Sequence, residues 1–176
     1  MSANDDSGSK QNYSGSNDDA AYFDYIPKDV IHAQVHPSIK VIREQAFLRQ
    51  SLLMSVELHD GIEVIEKEAF YECCSLCKIL SPPLVRAIKE RAFSYCEWLT
   101  TAILNDGLEE IGEYAFSGCA LVCIDIPPSI RVIKYCAFHV VVARGYSHVS
   151  RNYYVETGHV SIVLYYVRPS SVRIKR

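Results

Sequence analysis

The sequence lacks the motifs by which the common enzyme classes are recognised. It contains no HExxH zinc motif, no GxSxG nucleophile turn, no phosphate-binding loop and no GxGxxG dinucleotide motif. Its acidic residues are plentiful but do not single out a catalytic pair, because those of residues 29–138 follow the repeat described below. We therefore predict that the protein is not an enzyme and that it holds no cofactor.

Long apolar runs are also missing. The longest, at 140–143 and 162–167, have the length of a strand, whereas a membrane-spanning helix needs about 20 apolar residues. The first residues do not show the basic start and apolar core of a secretory signal. The sequence thus predicts no membrane span and a location in the cytoplasm or elsewhere inside the cell. Export by an unusual route and a missing true start of the chain are the alternatives.

Neither charge nor cysteine content favours a nucleic-acid or metal partner. The formal net charge is −3, so no overall positive field attracts phosphate. Seven cysteines are an odd number, in a chain longer than the usual disulfide scaffold. Cys74 and Cys77 have CxxC spacing, but a zinc site needs a second ligand pair. We therefore expect no metal and no nucleic-acid partner.

What the sequence does contain is a repeat marked by phenylalanine. Five of the six phenylalanines are spaced by 23, 23, 23 and 22 residues: Phe47, Phe70, Phe93, Phe116 and Phe138. An alanine precedes each of them, and an isoleucine lies five residues before each. A single deletion between Cys119 and Leu121 accounts for the shorter interval. A period in this range predicts a solenoid, in which each unit buries its apolar side chains against its neighbours.

Each unit, here called a rung and numbered 1 to 5 by its phenylalanine, has two recognisable parts. Apolar residues alternate 14 and 12 positions before the phenylalanine, as at Val56 and Leu58, which predicts a short strand with one inward face. The pattern Ile-x-x-x-Ala-Phe predicts a tight helical turn that directs Ala and Phe inward. The expected fold is a β-rich solenoid of about five 22–23-residue rungs, each a short strand plus a tight helical turn.

The segments 108–119 and 124–138 resemble the BspA-like, Treponema pallidum-type, leucine-rich repeat. The resemblance extends over residues 30–138 and implies a leucine-rich-repeat solenoid of the α/β repeat class. It also implies an interaction module without shared catalytic residues. We call one position in successive rungs a column. The resemblance also implies a column of packed cysteines, here Cys73, Cys96 and Cys119.

Composition divides the chain into three regions. Residues 1–28 are predicted to be a disordered acidic and polar tail, because residues 1–20 contain no apolar cluster, and residues 29–138 are predicted to form the solenoid. Residues 139–176 carry six Lys or Arg against the single Glu156, a charge of +5, and five of the 12 tyrosines. This basic segment is either a β-hairpin that caps the last rung or disordered. Binding of RNA or acidic membrane through its basic residues, and a gene-model error, are the other interpretations left open.

Two columns alternate with a period of two rungs. Ten residues before the phenylalanine, odd rungs carry Pro and even rungs carry Asp followed by Gly, so two turn chemistries alternate at one corner. Seven residues before it, the sign of the charge alternates: Lys40, Glu63, Arg86, Glu109 and Arg131. Opposite charges on neighbouring rungs lie about 5 Å apart and cancel each other's field, which argues against a phosphate-binding groove on this face.

The outward positions of the predicted strands provide the candidate partner surface. Thirteen residues before the phenylalanine, rungs 2 to 5 carry Glu57, Leu80, Ile103 and Asp125. Leu80 and Ile103 are adjacent apolar residues that face away from the core. The position of Trp98, the only tryptophan, five residues after the phenylalanine predicts that it faces outward as well.

We predict that a protein or peptide binds this surface, and that the protein is a non-catalytic interaction module or scaffold. Packing of these side chains beneath another segment of the chain is one alternative. A surface adhesin-like role, with an unrecognised or missing export signal, is another.

Three histidines lie in the region of the first strands. His36 and His59 share a column, and His32 precedes them in rung 1. With Glu57 they form either a metal or acid–base cluster or, as we expect, an exposed polar face.

Replacing Glu63 and Glu109 by Lys is expected to destabilise the fold, because each substitution places like charges on neighbouring rungs. The loss should be larger at low salt, where surface charges are screened less. Thermal melting at two salt concentrations measures it. An unchanged melting temperature at low salt would show that the alternating column does not stabilise the solenoid.

Overall fold

Every rung contains the strand that the alternation predicts. The computed structural model describes residues 26–121 and 123–139, together with strands β1 (Gln11–Tyr13) and β12 (Val160–Val163) of the flanking segments. The predicted strands, here called sheet I, are β2 (His32–Val35), β4 (Ser55–Glu57), β6 (Lys78–Leu80), β8 (Thr101–Ile103) and β10 (Cys123–Ile126). Where they pair, they are parallel and offset by 23 residues, as Ala33 opposite Val56 shows. The phenylalanine period is therefore a structural repeat.

A second strand, which the sequence analysis does not anticipate, follows the corner that carries Pro or Asp-Gly. These strands form a five-stranded parallel sheet, sheet II: β3 (Val41–Ile42), β5 (Val64–Ile65), β7 (Ala87–Ile88), β9 (Glu110–Ile111) and β11 (Val132–Ile133). Beside this sheet an N–H of one rung donates to the rung before, as Glu63 N–H does to Lys40 C=O at 2.7 Å. Strands of two residues are too short for an alternating pattern to be recognised. A rung thus has two strands, and the four steps between the five described rungs correspond to about four turns of the solenoid.

The segment around each phenylalanine is a turn but not a helix, so the predicted tight helical turn is wrong. Alternate N–H groups leave the rung: Phe47 N–H donates to Ala69 C=O of rung 2 (2.7 Å), whereas Leu48 N–H donates to Gln45 C=O within rung 1 (3.0 Å). In a helix, successive N–H groups all bond within the segment. The described residues contain no helix, and hence none long and apolar enough to cross a membrane.

Residues with left-handed backbone accompany this alternation. These residues lie two positions before or two positions after a phenylalanine. Gly118 has φ 74°. Eight non-glycine residues have φ of 52° to 60°: Gln45, Arg49, Glu68, Glu72, Arg91, Tyr95, Tyr114 and Cys136. This conformation costs a non-glycine residue roughly 1–2 kcal/mol, and each hydrogen bond to the next rung contributes about 0.5–1.5 kcal/mol. Because these contributions nearly cancel, the turn depends on the burial of Ala and Phe that it makes possible.

The phenylalanine rings stack into a continuous ladder through the core. From Phe47 to Phe138, neighbouring ring centroids are 4.8, 5.1, 5.2 and 5.5 Å apart, with interplanar angles of 3° to 9°. All five rings and the alanines that precede them are buried. An aromatic pair of this kind adds about 0.5–1.5 kcal/mol beyond its area burial. The ladder therefore links each rung to the next along the whole solenoid.

The two-rung periodicity is visible in the hydrogen bonds of sheet I and its corner. β2 pairs with β4 and β6 with β8, but no register joins β4 to β6 or β8 to β10 in the described part of the chain. In the even rungs, His59 Nε2 donates to Ile39 C=O (2.7 Å) and Asn105 Nδ2 to Val85 C=O (3.0 Å) of the odd rung before. A pair of rungs is thus the structural unit of this edge.

Residues that precede β2 close the first rung. Gln50 Nε2 donates to Ile26 C=O (3.1 Å), and Lys28 Nζ donates to Leu48 C=O (2.9 Å). In rung 2 the equivalent carbonyl, that of Tyr71, accepts the N–H of Arg49 from rung 1. The Lys28 ammonium therefore supplies a donor to a carbonyl that a preceding rung would otherwise serve.

One strand from each flanking segment pairs with sheet I. β1 lies parallel to β2, with Gln11 opposite Ala33, and β12 lies antiparallel to β10, with Val160 opposite Ile126. Apart from 11–13, 26–28, His139 and 160–163, the residues of the predicted segments 1–28 and 139–176 lie outside the described part. The disorder of the first and the hairpin of the second stay predictions.

Replacing Gln45 by Gly or by Val separates the backbone strain from side-chain effects. Both changes remove the hydrogen bond from Gln45 Nε2 to Glu68 (2.7 Å), but only Gly adopts φ 59° without steric cost. We expect the Gly variant to be more stable than the Val variant by roughly 1–2 kcal/mol in urea unfolding. Equal stability of the two variants would contradict the left-handed turn.

Candidate functional site

Two exposed aliphatic side chains lie side by side on the outward face of sheet I. Leu80 in β6 and Ile103 in β8 are register partners, with exposed fractions of 53% and 51%. The residues that precede them, Ile79 and Ala102, are buried on the opposite face. The alternation along each strand therefore directs Leu80 and Ile103 outward together, as the sequence predicts.

Carboxylates occupy the same column on the rungs to either side. Glu57 lies in β4 of rung 2 and Asp125 in β10 of rung 5, and both side chains are exposed. With strands about 4.8 Å apart, three rung steps separate the two acidic residues by roughly 15 Å. Asp125 also faces the added strand β12, where Ser161 is its register partner. The aliphatic pair is thus flanked by acidic side chains along the solenoid axis.

Trp98 does not share the strand face with this pair. It lies in the turn before β8 with an exposed fraction of 67%, and its backbone N–H donates to Cys74 C=O of the preceding rung (3.1 Å). The five predicted site residues therefore divide into four on sheet I and one at the corner that leads into it.

A second group of exposed apolar side chains near the first rungs was missed by the sequence analysis. Ile31, Leu52 and Met54 have exposed fractions of 44%, 51% and 49%, and Met54 N–H donates to Ile31 C=O (2.8 Å). Leu52 stands in the same column as Trp98. These apolar residues are visible in the sequence. They precede strands β2 and β4, however, so the alternation along the strands does not predict which way they face.

The cysteine column is a packing device and not a reactive site. The Sγ atoms of Cys73, Cys96 and Cys119 donate to the carbonyl of the phenylalanine in the preceding rung, at 3.0, 3.1 and 3.1 Å. Burial raises the pKa of Cys73 to about 12 and raises the pKa of Cys96 and of Cys119. Because the thiolate is the nucleophile and metal ligand, these groups are inert at neutral pH. The six cysteines whose side chains are described are all free thiols.

The three histidines are engaged in local hydrogen bonds. His59 Nδ1 accepts the N–H of Gly61 (3.0 Å), so its Nε2 carries the proton donated to rung 1. His36 Nδ1 likewise accepts the N–H of Ser38 (3.2 Å), and His32 Nδ1 lies 2.7 Å from a serine hydroxyl of rung 2. No three His, Cys, Asp or Glu side chains within 26–121 and 123–139 are grouped so as to hold a metal ion.

The alternating charges form ion pairs between rungs beside sheet II. Glu109 lies between Arg86 (3.2 Å) and Arg131 (3.6 Å), and Lys40 lies 3.5 Å from Glu63. These side chains are substantially exposed, so each pair contributes only about 0–1 kcal/mol. Their main effect is that the column carries no field of one sign.

Glu110 places one carboxylate between two ammonium groups, and its side chain is only 24% exposed. Its Oε1 lies 2.6 Å from Lys134 Nζ and its Oε2 lies 3.0 Å from Lys89 Nζ. The hydrogen bond from Lys134 lowers the pKa of Glu110; burial opposes this shift, and Lys89 adds to it. The carboxylate therefore stays ionised between two ammonium groups.

Comparison with known proteins points to one repeat family. Residues 21–141 match the model for the "BspA type Leucine rich repeat region" in six copies, one more than the phenylalanine rungs identified in the sequence. No curated protein matches the chain.

Solved leucine-rich repeat structures share the fold. A Treponema pallidum leucine-rich repeat protein is 28% identical with a TM-score of 0.60, over 65% of this chain and 56% of its own. A leucine rich cell surface protein from Faecalibacterium prausnitzii is 32% identical with a TM-score of 0.55, over 61% of this chain and 29% of its own. A Bacteroides ovatus leucine-rich repeat protein, 24% identical with a TM-score of 0.56 over 60% and 27%, is alike in fold alone. This chain thus spans little more than half of the first protein and under a third of the others.

Substitution of Glu110 by Gln tests the enclosed carboxylate. Because the pKa of Glu110 is lowered in the folded state, its contribution to stability is present at neutral pH and is lost as the pH falls through that pKa. We expect Glu110→Gln to cost roughly 1 kcal/mol at pH 7 and less at pH 3, measured by urea unfolding. Glu113→Gln removes the same charge from an exposed position of the same rung, and an equal pH profile for both variants would contradict the assignment.

Proposed function

The chain belongs to the BspA-type leucine-rich repeat family, and from this premise we propose that it is a non-catalytic protein-interaction module that binds a protein or peptide through the outward face of sheet I. Proteins of this family are generally non-enzymatic. The proposed contact surface, the strand-face site, consists of Glu57, Leu80, Ile103 and Asp125, with Trp98 at its corner.

The adjacent exposure of Leu80 and Ile103 is the observation that carries this proposal. Single exposed aliphatic residues are common on soluble proteins, whereas two in register on neighbouring strands present a continuous apolar area. Desolvation of such an area on contact favours association, and Glu57 and Asp125 on either side add polar selectivity at the rim.

The scaffold beneath the strand-face site keeps these side chains in fixed positions. Ile79 and Ala102, which alternate with Leu80 and Ile103, are anchored in the buried core. A partner therefore does not have to order the strands when it binds, so less conformational entropy is lost on association.

The double variant Leu80→Asp/Ile103→Asp is expected to lose a partner captured by affinity from an extract of the native cell. Leu84→Asp is the matched control, because Leu84 has a similar exposed fraction of 52% but lies in the turn between β6 and β7. Circular dichroism establishes that each variant is folded. Retention of the partner by the double variant, or its equal loss from the control, would rule out the strand-face site.

Fluorescence of the only tryptophan decides whether Trp98 belongs to the contact. With an exposed fraction of 67%, it should emit as a solvated indole in the free protein. A blue shift on addition of the captured partner would place the corner within the interface, and an unchanged spectrum would confine the contact to the strands.

A surface adhesin-like role is the second candidate, because one structural neighbour at 32% identity is a leucine rich cell surface protein. The intracellular location expected from the sequence stays a prediction and opposes this role. Protease treatment of intact native cells distinguishes the two: loss of the protein favours the adhesin, and full protection favours the intracellular module.

A further inference from the structure

The same four-residue pattern occurs twice along sheet II. Rung 3 carries Arg86-Ala-Ile-Lys89 and rung 5 carries Arg131-Val-Ile-Lys134. In both rungs the two central residues form the strand, β7 or β11, and the cations lie at its two ends. The two edges are therefore equivalent in backbone position and in charge.

The rung 3 edge shows what such an edge binds. It is covered by Glu109-Glu-Ile-Gly112 of rung 4. Glu109 N–H donates to Arg86 C=O (2.9 Å), and its carboxylate lies 3.2 Å from the same arginine. The Glu110 carboxylate lies 3.0 Å from Lys89. The covering segment is thus an extended strand with two successive acidic residues.

Gly112 fits closely against the same edge. Its N–H donates to Ile88 C=O (2.7 Å), and a Cβ at this position would lie 2.4 Å from the backbone carbon of Lys89. The covering strand therefore has the pattern acidic, acidic, aliphatic, glycine. The hydrogen bond itself does not require glycine, because Glu66 and Lys134 make the equivalent bonds to Ile42 and Ile111 C=O at 2.8 and 2.9 Å.

The rung 5 edge presents the same groups. Among the described residues, no strand lies beyond β11 in sheet II. The side chains of Arg131 and Lys134 are 76% and 51% exposed, and the described part of the chain pairs them with rung 4 alone, through Glu109 (3.6 Å) and Glu110 (2.6 Å). Val132 within the strand has an exposed fraction of 45%. Within 26–121 and 123–139, nothing pairs with this edge on the side where rung 3 meets its acidic strand.

We propose that the edge of β11, flanked by Arg131 and Lys134, binds an extended acidic segment of a partner protein, which adds a parallel strand to sheet II. Backbone hydrogen bonds to the edge provide affinity, and two successive carboxylates opposite the two cations set the register. This surface is distinct from the strand-face site, which lies on sheet I.

Rung 4 itself supplies the probe. A fluorescein-labelled peptide of residues 106–114, which contains Glu-Glu-Ile-Gly, is titrated with the full chain and followed by fluorescence anisotropy. We expect saturable binding that weakens as salt rises. A peptide with both central glutamates replaced by Lys should bind roughly tenfold more weakly, because its charges then repel the two cations of the edge.

Variants of the protein locate the contact. Arg131→Gln/Lys134→Gln should lower the affinity for the peptide at least fivefold, and Arg131→Glu/Lys134→Glu further. Lys78→Gln is the control, because it removes an exposed cation from sheet I and should leave binding unchanged. The Gln variants keep the test valid should charge reversal beside Glu109 and Glu110 prevent folding.

Three outcomes would overturn the proposal. Absence of peptide binding to the wild-type chain would mean that its own residues close this edge. Equal loss in the Lys78 control would mean general charge attraction. Self-association of the full chain, abolished by the Arg131 and Lys134 variants, would assign the edge to a second copy and not to a partner protein.

Discussion

The spacing of about 5 Å between rungs is the constraint on which the rest of the molecule depends. Two independent interactions impose it: the stacked phenylalanine rings, 4.8 to 5.5 Å apart, and the backbone hydrogen bonds that join neighbouring rungs. Once the spacing is fixed, the side chains at all the remaining repeat positions lie next to their counterparts in the neighbouring rungs. The thiols reach the phenylalanine carbonyls of the rung before, and acidic side chains meet basic ones. The outward aliphatic residues of rungs 3 and 4 become neighbours for the same reason. A one-dimensional repeat thus converts a sequence interval directly into a contact.

The alternation of odd and even rungs divides the surface by charge. Inside the array, Glu109 and Glu110 each lie between cations of two rungs, and little field remains. At rung 5 the alternation ends, and Arg131 and Lys134 have described acidic neighbours on one side only. The apolar area, by contrast, lies on sheet I and interrupts a column that is otherwise polar or acidic. The same repeat therefore yields two surfaces of different chemistry, one apolar on its face and one cationic at its edge.

Most of the fold could be predicted from the sequence, because burial in a solenoid follows the period. The phenylalanine column, the inward Ile79 and the outward Leu80 are where the spacing predicts them. The predicted helical turn failed for a physical reason. The residues with left-handed backbone are Gln, Glu, Arg, Tyr and Cys, and Gly118 is the one glycine among them. No residue type in the sequence therefore indicates this backbone conformation. Sheet II was missed because two residues cannot show a period. For the candidate site, the alternation along the strands identified Leu80 and Ile103. It could not show that Trp98 lies in a turn before β8 or that Met54 is exposed beside Ile31, because residues outside the strands do not follow the alternation.

The backbone hydrogen bonds that flank sheet II and those of the phenylalanine turn run in opposite directions along the solenoid axis. Beside sheet II, the N–H of Glu63 points back to rung 1, whereas in the phenylalanine turn the N–H of Phe47 points forward to rung 2. Peptide dipoles so opposed largely cancel along the axis, unlike those of a helix, which add up to about half a charge at each end. The backbone of the described rungs therefore adds little electrical polarity along the axis. The polarity comes mainly from side chains, and substitutions can reverse it without any change in the path of the backbone.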